Sequence, residues 1–248
     1  MISNSQQKLI QSLEQKKYRK KFKLFLAEGV KIVNEILISE LKIRSVFALS
    51  EWISMHSGKL FSKGISEIVE CSENELKKIS QFTTPNKVLA LVEIPDYRLE
   101  LNTDLIILLE SIRDPGNLGT IIRLADWYGI KEIICSEDCV DVYNAKVIQA
   151  SMGSILRVKV HYGDLSHMLK ANPTYTSYGT FLEGENIHQV RFQKPSFLVI
   201  GNESNGISAP LEKLVSNRIT IPRIGQAESL NASVACAIVT DRIMEQFK

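Results

Sequence analysis

The chain has few of the residue groupings that mark metal sites, disulfide frameworks and membrane spans. Its four cysteines and four histidines are scattered and form no CxxC or HExxH pattern, so we expect no bound metal. No apolar run approaches the roughly 18 residues that a membrane span needs, and the polar, lysine-rich start lacks the apolar segment of a signal peptide. Low-complexity tracts are missing as well. These absences predict a folded protein in a reducing, cytoplasmic environment.

The length of 248 residues favours two domains. Residues 93–104, which carry Pro95 and several charges between two apolar runs, form the best candidate linker. We therefore predict a first domain over residues 1–96 and a second over residues 97–248.

The formal net charge of +2 does not by itself indicate a polyanionic partner. Residues 16–23, KKYRKKFK, concentrate six Lys and Arg around two aromatic residues. One interpretation is a solvated basic turn, and the other is contact with RNA. In the second interpretation the RNA-binding residues are Lys16, Lys17, Arg19, Lys20 and Lys21.

Both halves of the chain alternate strand-like and helical patterns. In the first, strands are predicted at 24–27, 43–49 and 88–92 and a helix at 28–38, which gives a small α/β domain. In the second, we predict strands at 105–109, 131–135, 174–181, 196–200 and 218–221, and helices at 118–127, 144–152 and from 231. The second half thus predicts a mostly parallel sheet covered on both faces.

Three polar, glycine-marked stretches stand where apolar runs of the second half stop, at residues 114–123, 201–206 and 222–231. Ligands of open α/β sheets collect beyond the carboxyl ends of strands, so the three stretches together suggest one site. The first contains Asn117 and Arg123, and a turn with a helix cap would also explain it.

The second stretch, GNESNG, is not the GxGxxG of a dinucleotide site, and Glu203 would repel a phosphate. A cationic or hydroxyl-bearing ligand suits this carboxylate better. In the third stretch, Ser229 and Asn231 flank Leu230, an apolar residue that could cover a flat ring. Helix capping is the alternative explanation for both stretches.

Taken in order, RDPGNLGTIIRLA, GNESNG and IPRIGQAESLNASVA closely resemble the signature of the SpoU/TrmH branch of the SPOUT superfamily, the RNA 2'-O-ribose methyltransferases. The resemblance extends to KVIQASMGSILRV and to FLAEGVKIVNEIL, and so covers nearly the whole chain. It implies an RNA substrate-binding domain followed by a SPOUT domain with a deep trefoil knot. It also implies S-adenosyl-L-methionine as the methyl donor and a homodimer formed through the carboxyl-terminal domain.

The resemblance assigns ten site residues. It implies that the backbone of Gly201, Ile221 and Leu230 contacts the cofactor, with Thr180 and Gly184 lining the same pocket from the preceding loop. It places Asn117, Arg123, Glu203, Ser229 and Asn231 at the family's functional polar positions, with Arg123 serving the partner subunit's cofactor. Because arginine is a poor base, we hypothesise that Arg123 clamps the phosphate next to the target ribose.

Ribosomal RNA is the favoured substrate, and tRNA is the alternative. Two other classes of protein fit the sequence less well. A non-catalytic RNA-binding dimer gives no reason for a polar set at three strand ends, and the chain lacks the GxGxxG motif of a nucleotide-dependent oxidoreductase.

Overall fold

The computed structural model of the chain describes residues 1–247, which form two compact units. Unit 1 consists of Met1–Asp96 together with Tyr143–Leu156, and unit 2 consists of Tyr97–Val142 and the chain from Arg157 onward. The division after Asp96 lies in the segment that was predicted to be a linker. The assignment of Tyr143–Leu156 to unit 1 has no signal in the sequence pattern. Within the described residues, no helix is long and apolar enough to cross a membrane.

Unit 1 is built around a four-stranded sheet in the order β1-β4-β2-β3. Strand β4 runs antiparallel to β1 and β2, and β3 runs parallel to β2. The strands are β1 (Leu24–Glu28), β2 (Ile43–Ala48), β3 (Glu67–Glu70) and β4 (Val88–Glu93), and the helices are α1 (Asn4–Ser12), α2 (Lys16–Phe22), α3 (Val30–Ile38), α4 (Ser50–Ser62), α5 (Glu73–Ile79) and α7 (Ala145–Ser151). A short 3-10 turn, Ser154–Leu156, follows α7.

The strands and the helix predicted for the first domain are confirmed by β1, β2, β4 and α3. Helix α3 begins at Val30 rather than at Glu28, because Gly29 has a φ of 120° and cannot belong to a right-handed helix. Helices α1 and α5 were not predicted, although capping boxes at Ser3 and Ser72 start them. The basic segment, for which a solvated turn was one of two interpretations, forms the helix α2 over Lys16–Phe22.

Unit 2 contains a six-stranded sheet in the order β10-β8-β9-β5-β6-β7, in which every pairing is parallel. The predicted parallel sheet is therefore confirmed. The strands are β5 (Leu105–Leu109), β6 (Glu132–Cys135), β7 (Lys159–Tyr162), β8 (Thr176–Asn186), β9 (Ser196–Ile200) and β10 (Asn217–Thr220), and the helices are α6 (Pro115–Trp127), α8 (Leu165–Ala171), α9 (Ala209–Glu212) and α10 (Ala232–Phe247).

The centre of this sheet is the pair β5 and β9, which is buried at every residue. Both strands are continuous apolar runs, as expected for parallel strands covered on both faces. The chain leaves β5 toward β6 and β7 on one side, whereas β9, β8 and β10 lie on the other. The order reverses here, and the carboxyl ends of strands at such a point are where open α/β sheets bind ligands. The deep trefoil knot stays a prediction.

Candidate active site

The three polar stretches meet at the carboxyl edge of the unit 2 sheet. Leu109 at the end of β5 pairs with Ile200 at the end of β9, so the loops that follow these strands start side by side. In the first of these loops the Asp114 side chain accepts a hydrogen bond from the Asn117 backbone at 2.8 Å and caps α6. The helix therefore begins at Pro115, earlier than predicted. Since Asp114 is the cap, the side chain of Asn117 is available for other contacts.

Asn117 joins the three stretches. Its Nδ2 donates to Glu203 Oε1 at 2.6 Å, and its Oδ1 accepts from Asn231 Nδ2 at 2.9 Å. We call Asn117, Glu203 and Asn231 the three-loop junction. Asn117 is only 8% exposed, so these hydrogen bonds are formed largely out of water. The junction brings three of the five predicted polar residues together.

Asn231 has a second task, which orients its amide. Its Oδ1 accepts hydrogen bonds from the backbone of Ser233 at 2.9 Å and of Val234 at 3.3 Å, and from Ser233 Oγ at 2.6 Å. This capping role of Asn231 was the alternative explanation for the third stretch, and the structure combines it with the bond to Asn117. Because Oδ1 is occupied by the cap, Nδ2 is turned toward Asn117.

Asn202 holds the second loop against the first and was missed by the sequence analysis. Its Nδ2 donates to the Ser111 carbonyl at 2.8 Å, while its Oδ1 accepts from the backbone of Ser204 and Asn205 at 2.9 and 3.2 Å. The available sequence signal is an Asn that follows the Gly after a strand, since Asn side chains commonly close a turn on the next two residues. Ser111 itself has a φ of 56°, in the left-handed region that non-glycine residues seldom adopt.

Gly201 permits a backbone approach that no other residue allows. A Cβ at this position would lie 2.2 Å from the carbonyl carbon of Gly206 and 2.3 Å from the backbone nitrogen of Ile207. Asn202 and Gly206 exchange two backbone hydrogen bonds, which close the loop. The second loop is thus a tight cradle whose shape depends on the missing side chain of Gly201.

Arg123 and Ser229 do not join the junction. Both are exposed, and neither side chain has a hydrogen-bond or ionic partner within residues 1–247. Arg123 lies on α6, six residues beyond Asn117, and a helix turns by 100° per residue, so the two side chains leave the helix in different directions. Its guanidinium is therefore available to an anion from outside unit 2.

Thr180 and Gly184 belong to β8 and not to a loop, because β8 continues to Asn186. The pairing with β10 is interrupted at this point: Arg218 is opposite Gly179, and the next residue, Ile219, is opposite Glu185. Residues 180–184 therefore bulge from the sheet edge. Gly184 approaches the β10 backbone so closely that a Cβ would lie 2.7 Å from the Arg218 carbonyl oxygen.

The remaining two predicted cofactor residues belong to the segment that carries the third stretch. Ile221 lies between β10 and this stretch and is half-buried, whereas Leu230 lies within the stretch next to Asn231 and is 45% exposed. The edge thus presents loop backbone groups and an exposed apolar side chain. These features suit a ligand with a flat ring and a polar tail.

The basic helix α2 lies in unit 1 and presents most of its charge to solvent. Lys17, Lys20 and Lys21 are exposed. Arg19 is a correction to the predicted RNA-binding set: it is 4% exposed, and its Nη1 donates to the carbonyls of Leu13 and Glu14 at 2.7 and 2.8 Å. Its guanidinium holds the turn between α1 and α2 and is not offered to a ligand.

The charges are divided unequally between the units. Unit 1 contains sixteen of the 30 Lys and Arg but only eleven of the 28 Asp and Glu, so the positive excess lies there and unit 2 is net negative. The net positive charge of unit 1 favours a polyanionic partner, and the net negative charge of unit 2 is compatible with a cationic small molecule.

Comparisons with known proteins match two family models along the chain. Residues 104–241 match the model of the SpoU rRNA Methylase family, and residues 4–90 match that of the MRM3-like substrate binding domain. The first match spans more than half of the chain. The chain belongs to the SpoU rRNA methylase family. A Bacillus subtilis relative, 23S rRNA (guanosine(2553)-2'-O)-methyltransferase RlmP, is 31% identical over 234 residues, which cover 92% of this chain and 91% of that protein.

Two solved structures with the same fold match this chain over nearly its full length. A TrmH-family protein from Porphyromonas gingivalis superposes with a TM-score of 0.86 at 32% identity, covering 98% of both chains. An AdoMet-bound rRNA methyltransferase from Sinorhizobium meliloti superposes with a TM-score of 0.89 at 26% identity, covering 100% of this chain and 97% of the other.

Proposed function

We propose that this SpoU family member transfers a methyl group from S-adenosylmethionine to a ribose 2'-hydroxyl of ribosomal RNA. The observation that carries the proposal is the three-loop junction, in which one buried amide, Asn117, links Glu203 and Asn231 at the carboxyl edge of the sheet. A protein that merely bound RNA would not need this arrangement. The names of the Bacillus and Sinorhizobium relatives support both the donor and the class of RNA.

The carboxyl edge of unit 2 fits the donor. Gly201 lets the second loop fold tightly at the end of β9 and Gly184 lets β8 pack on the β10 backbone, and Leu230 offers an exposed apolar side chain for a flat ring. Ile221 and Thr180 border the same edge, since Ile221 directly follows β10 and Thr180 begins the bulge of β8. The bound donor supplies an electrophilic methyl group, and the protein supplies its position relative to the hydroxyl.

Positioning is the contribution that we assign to Arg123. Holding two reactants in a near-attack geometry is worth about 7–11 kcal/mol, which leaves little need for covalent catalysis. Arg123 is an exposed cation whose guanidinium makes no hydrogen bond or ion pair within residues 1–247, so it can bind the phosphate next to the target ribose. Through that phosphate it orients the 2'-hydroxyl.

Single-turnover methyl transfer with tritium-labelled S-adenosylmethionine tests this role. Arg123→Ala should abolish transfer to protein-free ribosomal RNA while the affinity for the donor, measured by calorimetry, changes by no more than a few fold. Arg98→Ala is the matched control, because Arg98 is also exposed but precedes β5, away from the carboxyl edge. Transfer that survives in Arg123→Ala would remove Arg123 from the reaction.

The identity of the RNA follows from a parallel measurement. Ribosomal RNA and tRNA from cells that lack this protein should be offered separately, and 2'-O-methyl groups should be mapped in each. We expect methylation in ribosomal RNA. Methylation of tRNA alone would select the alternative substrate, and donor binding without any transfer would indicate a non-catalytic RNA-binding protein.

A homodimer through unit 2 is part of the proposal. Trp127 on α6 is 83% exposed, and Val234 and Ile238 expose apolar surface on α10, the helix that packs against α6. An exposed Trp and further exposed apolar residues on two helices that pack together are typical of a protein interface. Light scattering should find a dimer that Trp127→Glu dissociates. Phe61→Glu, an equally exposed aromatic position in unit 1, should leave it intact, and a wild-type monomer would refute the assembly.

A further inference from the structure

Unit 1 contains a cavity of about 350 Å³ that the methyl-transfer site does not use. It is formed by the end of β1, the start of α3, the loop of residues 80–86 and helix α7. Small-molecule pockets begin at about 300 Å³, so the cavity is large enough for one nucleobase with its ribose. Its α7 wall comes from residues 145–153, which lie within the range matched by the SpoU family model.

Glu28 fixes the loop that forms one wall. Its carboxylate accepts hydrogen bonds from Ser80 Oγ at 2.6 Å, from the Gln81 backbone at 3.1 Å and from the Asn86 backbone at 3.3 Å. Ser80 Oγ in turn accepts from the Phe82 backbone at 3.1 Å. The carboxylate is therefore engaged within the protein, and the loop it orders presents the Phe82 ring to the cavity.

Three side-chain amides border the cavity, from Gln81, Asn86 and Gln149. The Gln81 Nε2 atom is buried and has no acceptor within the described chain. A buried donor without a partner costs free energy, and a ligand acceptor would relieve that cost. The Asn86 side chain packs against Gly29: its Oδ1 lies 3.6 Å from the position that a Cβ of residue 29 would take. This contact places the Asn86 amide at the start of α3.

The mouth of the cavity exposes apolar surface. Met152 is 47% exposed and Val30 is 37% exposed. Met152 is held there by a turn in which it has a φ of 52° and Gly153 a φ of 91°. A Cβ at Gly153 would lie 2.2 Å from Glu35 Oε2, so the turn is pressed against α3.

We propose that this cavity binds one unstacked base of the substrate RNA, with Phe82 as the stacking platform and the amides of Gln81, Asn86 and Gln149 as readers of the base edge. The proposal rests on the proposed function for the class of substrate. An aromatic ring and neutral amides are what protein sites use to hold splayed RNA bases. A phosphate would require more positive charge than Lys31, the cation of the cavity wall.

Filter binding of protein-free ribosomal RNA to the full-length protein tests the cavity. Phe82→Ala should weaken binding by about 5- to 100-fold, the value of one base–aromatic stack, whereas Phe82→Trp should bind like the wild type. Gln149→Ala, an exposed position on α7, should weaken binding by about 2- to 10-fold. Phe61→Ala, the control at an exposed aromatic position on α4, should have no effect.

The salt dependence separates a base site from a phosphate site. Stacking releases no counterions, so the ratio of variant to wild-type Kd should be the same at about 50 and about 200 mM salt. This range is chosen because the affinity of phosphate contacts falls strongly across it. A ratio that shrinks with salt would overturn the assignment. So would wild-type affinity in both Phe82→Ala and Gln149→Ala, provided that their thermal unfolding is unchanged.

A double-mutant cycle identifies the base. Synthetic hairpins that span the nucleotide methylated by the wild-type protein would carry an abasic site at each position in turn. One abasic position should cause the same loss as Phe82→Ala, and combining the two should cost no more than either. Additive losses at every position would refute the site. Should the wild-type protein methylate no RNA, the proposed function fails, while the filter-binding result still decides whether the cavity binds RNA.

Discussion

Reversing the polarity of one hydrogen bond in the three-loop junction provides the sharpest test of the active site. Asn117→Asp replaces the Nδ2 donor by a carboxylate oxygen, which then faces Glu203 Oε1 across the present 2.6 Å. The bond from Asn231 Nδ2 to the other oxygen of residue 117 is retained. The substitution thus removes one contact and creates a like-charge pair without changing the volume.

The expected cost can be estimated from the geometry. A hydrogen bond to a charged group contributes about 1.5–3 kcal/mol, and two like charges relaxed to about 4 Å repel by about 4 kcal/mol in a surface-like dielectric. Because Glu203 is half-exposed and the loop can relax, we expect a loss of about 3–5 kcal/mol in the free energy of unfolding of unit 2. Glu203→Gln in the Asn117→Asp background supplies a donor again and should recover all but about 1 kcal/mol.

Urea unfolding followed by hydrogen-exchange mass spectrometry reports on unit 2 separately and measures this cycle. Asn205→Asp is the control, since it adds the same charge to an exposed position of the same loop and should change stability by less than about 0.5 kcal/mol. If the effects of Asn117→Asp and Glu203→Gln are additive, the two side chains do not interact and the junction is not formed as described.

Three further predictions concern other parts of the chain. Gly201→Ala should lower the unfolding temperature and the donor affinity, because the new Cβ would overlap the Gly206 backbone at a cost of at least about 1–3 kcal/mol. Gly58→Ala, at a position with open space around it, should leave the protein equally or more stable in calorimetry. Equal unfolding temperatures for the two variants would contradict the close approach at Gly201. Replacing Lys17, Lys20 and Lys21 by Ala should reduce the slope of log Kd against log salt for RNA by about 2–3. Arg19→Ala should instead lower the unfolding temperature, because its guanidinium holds the Leu13 and Glu14 carbonyls. The reverse pattern would show that Arg19 meets RNA and that the three lysines do not. Hydrogen bonds from Ser111 and then Ser136 lower the pKa of Asp138. The contribution of Asp138 to stability is therefore present above its ordinary pKa of 3.8 and is lost as the pH falls through the depressed value. The difference in unfolding temperature between wild type and Asp138→Asn should close in acid, and a difference that does not change with pH would refute this role.

The sequence predicted the architecture where periodicity and apolar runs are unambiguous. The run SFLVI is typical of a central parallel strand, and it is β9 with the predicted bounds. The amphipathic helices α1 and α5 were missed although their capping boxes are local signals. The seven-residue α2 was missed because a short, highly charged segment has no apolar periodicity.

For the active site, the residue types and the order of the three stretches were readable, but their partners were not. Capping competed with a site role at each stretch, and local sequence cannot distinguish the two. Asp114 takes the cap of α6 and thereby leaves Asn117 to bind Glu203, 86 residues away in the chain. Asn231 both caps α10 and bonds to Asn117, whereas the sequence had presented capping and a site role as alternatives.

By itself the sequence determined the strands other than β3 and β7, the polar residue types at the carboxyl ends and the family, since these depend on short-range pattern and on motif order. Tertiary structure alone decided that Arg19 is internal, that Tyr143–Leu156 belongs to unit 1, and that Asn117 joins three loops. Each of these depends on contacts between residues far apart in sequence or on burial. A buried guanidinium and an exposed one have the same letter, and only the packing around it determines whether it holds a turn or meets a ligand.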